Sequence, residues 1–188
     1  MSAVLMSIRP EWCTLIASGK KTVEIRKTVP RKFVHNCFYG GHVVEPFKVY
    51  IYCTDPNTVD PHKYLETYCD GNIYKCNGKV FAEFVCEEVV ELAPINRADD
   101  TIEEKACMNR EEIVRYLKGK GYAWYISDLV IYDQPRELSE FYRKCEEYPA
   151  CDDCEFCSWT IEEGYECVCD YEKPLKSPPQ SWCYVEKV

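Results

Sequence analysis

The sequence predicts a single α+β domain over residues 1–188, built as a small, partly closed mixed β-barrel. About six strands would form the barrel, two or three helices would flank it, and a Cys-rich insertion would precede the last strand. Three observations lead there. Hydrophobic residues make up 46% and aromatic residues 14% of the 188, enough for one core. Apolar segments of strand length recur along the chain. The helical segments are few and do not alternate regularly with the strands, which argues against a doubly wound sheet.

Taken in order, Val4-Leu5-Met6-Ser7-Ile8 reads as a short apolar strand. Pro10 opens a helix at the position where its missing N–H costs nothing, and Trp12, Leu15 and Ile16 repeat at helical spacing, facing the core. Gly19 is placed to end that helix in a left-handed cap. Thr22 to Thr28 alternates as a strand, with Val23 and Ile25 on one face and Thr22, Glu24 and Arg26 on the other. Residues 30–46 form a Gly-containing loop region with a short strand near Phe38. Phe47 to Cys53 is a strand, residues 55–78 are loop-like, and Lys79 to Leu92 is one long strand. Closure of the sheet explains why that long strand carries no edge protection. Asn109 caps a helix, Arg110 to Lys118, ending near Gly119 and Gly121. Ala123 to Tyr132 is a strand, Pro135 starts a short segment around Leu138 and Phe141, and Ser181 to Val185 closes the chain as a last strand. There is no internal repeat and no low-complexity linker.

No run approaches the roughly 18 apolar residues of a membrane span. The N-terminal Met1 to Met6 has neither a basic region nor a long apolar stretch, so it is not read as a secretory signal. The expected location is cytoplasmic, where thiols stay reduced. Of the fourteen cysteines, Cys13, Cys37, Cys53, Cys69, Cys76, Cys86 and Cys107 are scattered and read mostly as small buried hydrophobes. Cys145, Cys151, Cys154, Cys157, Cys167 and Cys169 crowd into one acidic stretch poor in aliphatic residues. Two-residue spacing suits thiolates that share one tetrahedral Zn²⁺, and a metal would supply folding energy the stretch lacks. Four of these six are expected to hold one structural Zn²⁺. A disulfide-bonded loop and unpaired thiols are the alternatives, and an iron–sulfur cluster would need a more protected pocket.

The net charge of -9, taken whole, argues against a nucleic-acid binder, yet the charge is polarised. Residues 1–50 hold eight Lys and Arg against three Glu, a net of +5, whereas residues 137–172 hold twelve acidic and two basic side chains, a net of -10. Within the basic quarter, Gly19-Lys20-Lys21-Thr22-Val23-Glu24-Ile25-Arg26 takes the chain from a helix end straight into a strand. Glu24 and Arg26 share a face roughly 7 Å apart, and Lys21 can swing over them from the turn. Arg offers a rigid donor fork to phosphate or a carbonyl edge, and Lys a mobile point charge. An ordinary exposed Glu–Arg pair is the plain alternative. The three histidines, His35, His42 and His62, are too dispersed for a histidine-based active site. Tyr39, Tyr50 and Tyr52 read as core and cross-strand residues.

The pattern Gly19-x-Lys21-x-x-Glu24-x-Arg26 resembles the signature of the ASCH domain, a branch of the PUA-like superfamily. The resemblance extends to Ser7-Ile8-Arg9-Pro10-Glu11, to Ala123 through Leu129, and to Pro178 through Tyr184. Residues 55–78 and 145–172 look like family-variable insertions. Small stand-alone proteins of this kind are often encoded by bacteria and phages. The resemblance implies a PUA-like barrel with a cleft beside the signature that binds RNA, single-stranded nucleic acid or a nucleotide. Lys21, Glu24, Arg26 and Ser7 would be its ligand-binding residues, with one aromatic of Trp124 and Tyr125 to stack a base. Ser127 and Asp128 would hydrogen-bond a base edge, unless they cap a turn or Asp128 pairs with Arg26. Some relatives are amidohydrolases that remove an acetyl group from a cytidine base, and ribonuclease activity is attributed to others. The amidohydrolases use a Lys at the position of Lys21 and a Thr two residues before the Arg. Here Glu24 stands in that second position, so a hydroxyl is missing. The alternative function is therefore an amidohydrolase on a modified base such as N4-acetylcytidine, or a ribonuclease. In an enzyme Lys21 would be the base or electrostatic stabiliser and Glu24 a proton acceptor. No organic cofactor and no membrane partner are expected. A protein-interaction role for the acidic tail is a further possibility.

Overall fold

The computed structural model describes residues 2–36, 42–55, 64–92, 100–143, 174–186 and 188. In chain order the elements are β1 (Ser2–Ile8), α1 (Pro10–Ala17), β2 (Val23–Arg26), β3 (Val34–Asn36), β4 (His42–Val44), β5 (Phe47–Cys53), β6 (Glu66–Cys69), β7 (Asn72–Lys75), β8 (Lys79–Cys86), β9 (Val89–Glu91), α2 (Asp100–Ala106), α3 (Arg110–Leu117), β10 (Tyr122–Tyr125), β11 (Ser127–Arg136) and β12 (Trp182–Glu186). A 3-10 turn, Leu138–Glu140, follows β11. The strand placed near Phe38, together with Cys37, Tyr39, His62 and the six clustered cysteines, lies outside the described residues.

The α+β reading holds, and the sheet connectivity explains the barrel. One sheet runs β11-β8-β5-β1-β12 and a second runs β2-β10-β9. β8 passes into β9 and β10 into β11 with only one or two residues between, so the two sheets are one surface bent through these shared runs. The single long strand expected over 79–92 is thus two strands hinged at Glu87 and Glu88, and residues 123–132 bend in the same way, with Asp128 at φ 48 just past the bend. Followed round, six strand runs curl from β12 through β1, β5, β8/β9 and β10/β11 to β2. Among the described residues no ladder joins β2 to β12, so the ring is open there. Side chains tie that opening: Trp182 Nε1 donates to Thr28 Oγ1 at 3.1 Å, and Arg26 reaches the chain just before β12.

Three apolar clusters fix the layers. The largest fills the barrel with Met6, Ile51, Phe81, Phe84 and Trp124, and α1 closes one end of it through Cys13 and Ile16. The second packs α2 and α3 on the outer face of the small sheet, joining Val23, Ile25 and Ala123 to Ile102, Ile113 and Leu117. The third covers the outer face of the large sheet with Phe141, against Leu5, Tyr50 and Val185. β1 is central, pairing with β5 in parallel and β12 antiparallel. Buried on both faces, such a strand needs a continuous apolar run in place of alternation. Tyr50 and Tyr52 are buried as expected, and so are Cys13, Cys53, Cys76 and Cys86, whereas Cys69 and Cys107 are half-buried.

Local signals worked where capping chemistry was explicit. Pro10 starts α1, and Asn109 and Glu112 form a reciprocal capping box at α3, each side chain accepting the other's backbone N–H at 2.9 Å. Replacing Asn109 by alanine is expected to cost about 1 kcal/mol of unfolding free energy. Chemical denaturation reads this directly, and an unchanged midpoint would show that the box contributes nothing. The loop expected over 55–78 contains the β6–β7 hairpin, turned at Asp70 and Gly71, both with positive φ. Helix α2 carries only two inward apolar residues, Ile102 and Ala106, so its sequence shows no stripe.

Candidate functional site

The site is assembled at the opening of the barrel. Gly19, at φ 71, ends α1 in the left-handed region, and the N–H groups of Lys20 and Lys21 both return to Leu15 O at 3.0 Å. That tight turn delivers Lys21 to the foot of β2. Its ammonium donates to Ala106 O at 2.8 Å, the last residue of α2, and lies 3.3 Å from Glu24 Oε2 and 5.0 Å from the centroid of the Trp12 ring. A cation at a helix C-terminus is favourable for the exposed carbonyls there. Arg26 closes the network from the other side. Its Nη2 lies 3.0 Å from Glu24 Oε1 and donates to Ser7 O at 2.8 Å, while Nη1 donates to Ser181 Oγ at 3.2 Å. Ser7 in turn donates through Oγ to Pro179 O at 2.7 Å. One carboxylate therefore holds two cations, and the guanidinium bridges β2, β1 and the approach to β12.

Burial changes the character expected for this cluster. Lys21 is 2% exposed, Glu24 7% and Arg26 5%, so it is no loose surface pair. Two cations against one carboxylate leave a single unmatched positive charge in a region where charges are normally balanced. The Nε of Arg26 is buried and has no hydrogen-bond partner among the described residues. Above the cluster lies a cleft of about 610 Å³, whose wall includes Ser7, Arg9, Trp12, Thr54, Tyr116 and Gln180 beside the three ionised residues. That volume falls within the ordinary range for small-ligand sites.

The structure thus brings together Ser7, Lys21, Glu24 and Arg26, four of the residues picked from the sequence. It does not bring Trp124, Tyr125, Ser127 or Asp128 to the cleft wall. Trp124 is fully buried in the barrel core, edge-on to Phe47 at 5.6 Å and tilted against Trp182 at 6.2 Å. Tyr125 packs on the second cluster under the ammonium of Lys105. Ser127 pairs with Val85, beyond the bend that carries β10 into the large sheet. Arg26 pairs with Glu24, where the sequence had left Asp128 as a partner. The aromatic residues on the cleft wall are Trp12 of α1 and Tyr116 of α3. Trp12 packs against the main core as the helical spacing predicts, but it is only partly buried, beside the Pro10, Cys13 and Ile16 stripe, and also lines the cleft. Tyr116 sits likewise beside the Ile113 and Leu117 stripe, 38% exposed. An aromatic residue next to an inward stripe was the available signal for both. His35 and His42 are apart, each against a different carboxylate, Glu45 and Glu91.

Among the described residues no helix is long and apolar enough to cross a membrane, and no group of potential ligands could hold a metal ion. No curated protein sequence matches the chain. Among solved structures, a Ser-to-Ala variant of an ASCH protein from Zymomonas mobilis aligns at 18% identity with a TM-score of 0.50, covering 98% of this chain and 89% of that one. A Tyr-to-Phe variant of the same protein aligns at 19% identity and the same TM-score, covering 98% and 91%. Identity this low bears on the fold alone. The model of the ASCH domain matches residues 6–168, an extent that runs from β1 through both the Lys21–Glu24–Arg26 cluster and the bent strands, and the chain accordingly belongs to the ASCH domain family.

Proposed function

We propose that the cleft binds a nucleotide or a short stretch of RNA or other single-stranded nucleic acid. The observation that carries this reading is the unmatched positive charge of the buried Lys21–Glu24–Arg26 cluster on the wall of a cleft that also exposes aromatic rings. A phosphate supplies the missing anion, and Trp12 and Tyr116 offer surfaces on which a base can stack. The overall charge of -9 disfavours a long polyanion and fits a ligand of one or a few nucleotides.

The hydrolase alternative has one observation behind it, the Lys21–Glu24 pair set in the wall of the cleft. Its geometry suits anion holding better. The Lys21 ammonium is committed to Ala106 O and Glu24, and among the described residues no side-chain hydroxyl is hydrogen-bonded to that pair.

Intrinsic fluorescence titration with cytidine 5′-monophosphate, short RNA and short single-stranded DNA tests the proposal. It compares the natural chain with a Lys21→Met variant, checked for folding by circular dichroism, at two salt concentrations. Binding is expected to weaken with salt and to fall roughly 10- to 100-fold in the variant, the worth of one charged hydrogen bond. Absence of binding in a folded sample would end the nucleotide reading. Lys21-dependent release of cytidine from N4-acetylcytidine, or cleavage of the RNA, would replace it with a hydrolytic one.

The zinc expectation stands beside this as a separate proposal, with four of Cys145, Cys151, Cys154, Cys157, Cys167 and Cys169 as ligands. Elemental analysis of protein made without added metal should find about one equivalent of zinc. Less than roughly a tenth, with freely titratable thiols, would refute it.

A further inference from the structure

We propose that the main-chain N–H and C=O of Ile25 hydrogen-bond to the base edge of the nucleotide held in the cleft. This rests on the nucleotide reading above and adds the group that distinguishes a base from a mere anion.

The ladder geometry carries the argument. β10 and β2 pair antiparallel with Trp124 opposite Glu24 and Tyr122 opposite Arg26. In the same register the Ile126 N–H bonds to Thr22 O at 3.0 Å. Bonded and non-bonded pairs alternate in an antiparallel ladder. Glu24 and Arg26 therefore turn their N–H and C=O toward β10, and Ile25 turns its own away. The far side of β10 agrees: Tyr125 N–H bonds to Glu88 O and Leu92 N–H to Gly121 O, so the odd-numbered residues of that strand serve β9. Since β2 is the edge of its sheet among the described residues, the two groups of Ile25 face the opening of the barrel.

Ile25 also lines the cleft, although it is only 2% exposed and its side chain belongs to the cluster under α2 and α3. What it shows to the cleft is therefore main chain. A donor and an acceptor kept from bulk water, with no strand opposite them among the described residues, carry a free-energy penalty that a matching ligand removes. Both groups belong to one residue and point the same way, side by side, as they do toward a ladder partner. A nucleobase presents a donor beside an acceptor on its edge, whereas a phosphate presents acceptors alone. An added peptide strand would need a longer edge. Here β2 spans only Val23–Arg26, so its outer side offers the groups of Val23 and Ile25 alone. The neighbouring cations and the aromatic rings of Trp12 and Tyr116 select the base over the peptide.

The test uses the full chain labelled with ¹⁵N, titrated with cytidine 5′-monophosphate and, separately, with ribose 5-phosphate, which has the anion and no base. The nucleotide should move the Ile25 amide resonance downfield and slow its hydrogen exchange about tenfold or more, and ribose 5-phosphate should do neither. Replacing the Ile25 amide by an ester keeps the side chain and deletes the N–H; it also weakens the Glu24 carbonyl as acceptor for the Trp124 N–H, so folding is checked by thermal unfolding and ribose 5-phosphate binding serves as the control. The ester should weaken nucleotide binding about five- to tenfold, the share of one neutral hydrogen bond, and leave ribose 5-phosphate unaffected. Tight nucleotide binding with the Ile25 amide unmoved would overturn the inference and leave the nucleotide cleft standing. Failure of both compounds to bind would remove the nucleotide reading, and this inference with it.

Discussion

Replacing Glu24 by alanine is expected to destabilise the protein by about 3–5 kcal/mol, the range found when one member of a buried ion pair is deleted. The reason is geometric. Glu24 Oε2 and Oε1 lie 3.3 Å and 3.0 Å from Lys21 and Arg26, and all three residues are almost out of solvent. Without the carboxylate, two like charges stay buried beside each other, tied to Ala106 O, Ser7 O and Ser181, with no counter-charge. For a chain of this length the loss corresponds to a melting-temperature drop on the order of 10 °C. Glu24→Gln should lie between, because its amide still accepts one hydrogen bond while the charge is gone. Thermal unfolding of both variants reads the effect, and an alanine variant that melts with the natural protein would show that the cluster is solvated and not buried.

The second large effect is expected at Trp124. Truncation to alanine should cost about 3–5 kcal/mol, the transfer term of the indole plus the cavity it leaves between Phe47 and Trp182. Trp124→Phe should be far milder, because the Nε1 donor it removes is buried without a partner among the described residues. The same phenylalanine variant separates packing from recognition. A stacking platform contributes about 1–3 kcal/mol per base, so losing one would weaken binding many-fold. The phenylalanine variant should instead hold its nucleotide affinity within about twofold. A large loss of affinity in a stable Trp124→Phe protein would return Trp124 to the site and contradict its place in the core. Trp12→Ala is the variant in which a stacking loss should be seen.

The misassignment of Trp124 shows how far the sequence reached. Alternation along residues 122–125 established that Trp124 and Tyr125 point to opposite faces, and they do. Which face is core depends on what the strand packs against. The face of β2 and β10 that carries Glu24 and Trp124 looks into the barrel, where the large sheet covers Trp124, and only the residues at the open rim reach the cleft. Tyr125 meets α2 instead, a helix that composition did not announce. The same missed helix supplies the Ala106 carbonyl that holds Lys21, so the turn at Gly19 located the lysine but not its partner.

The sequence by itself determined the fold class, the start of α1 at Pro10, the cap of α3 at Asn109, the alternation of β2 and the grouping of Lys21, Glu24 and Arg26 near one point. These are properties of residues within a few positions of one another, governed by backbone sterics, capping and side-chain period. Only the tertiary structure decided that this group is buried, that Arg26 spans the opening of the barrel to residues 19 and 155 positions away, and that Trp12 and Tyr116 supply the aromatic walls. Burial, net local charge and the free edge of β2 arise where distant segments meet. The chain encodes those meetings in the packing of both sheets together, which no local window contains.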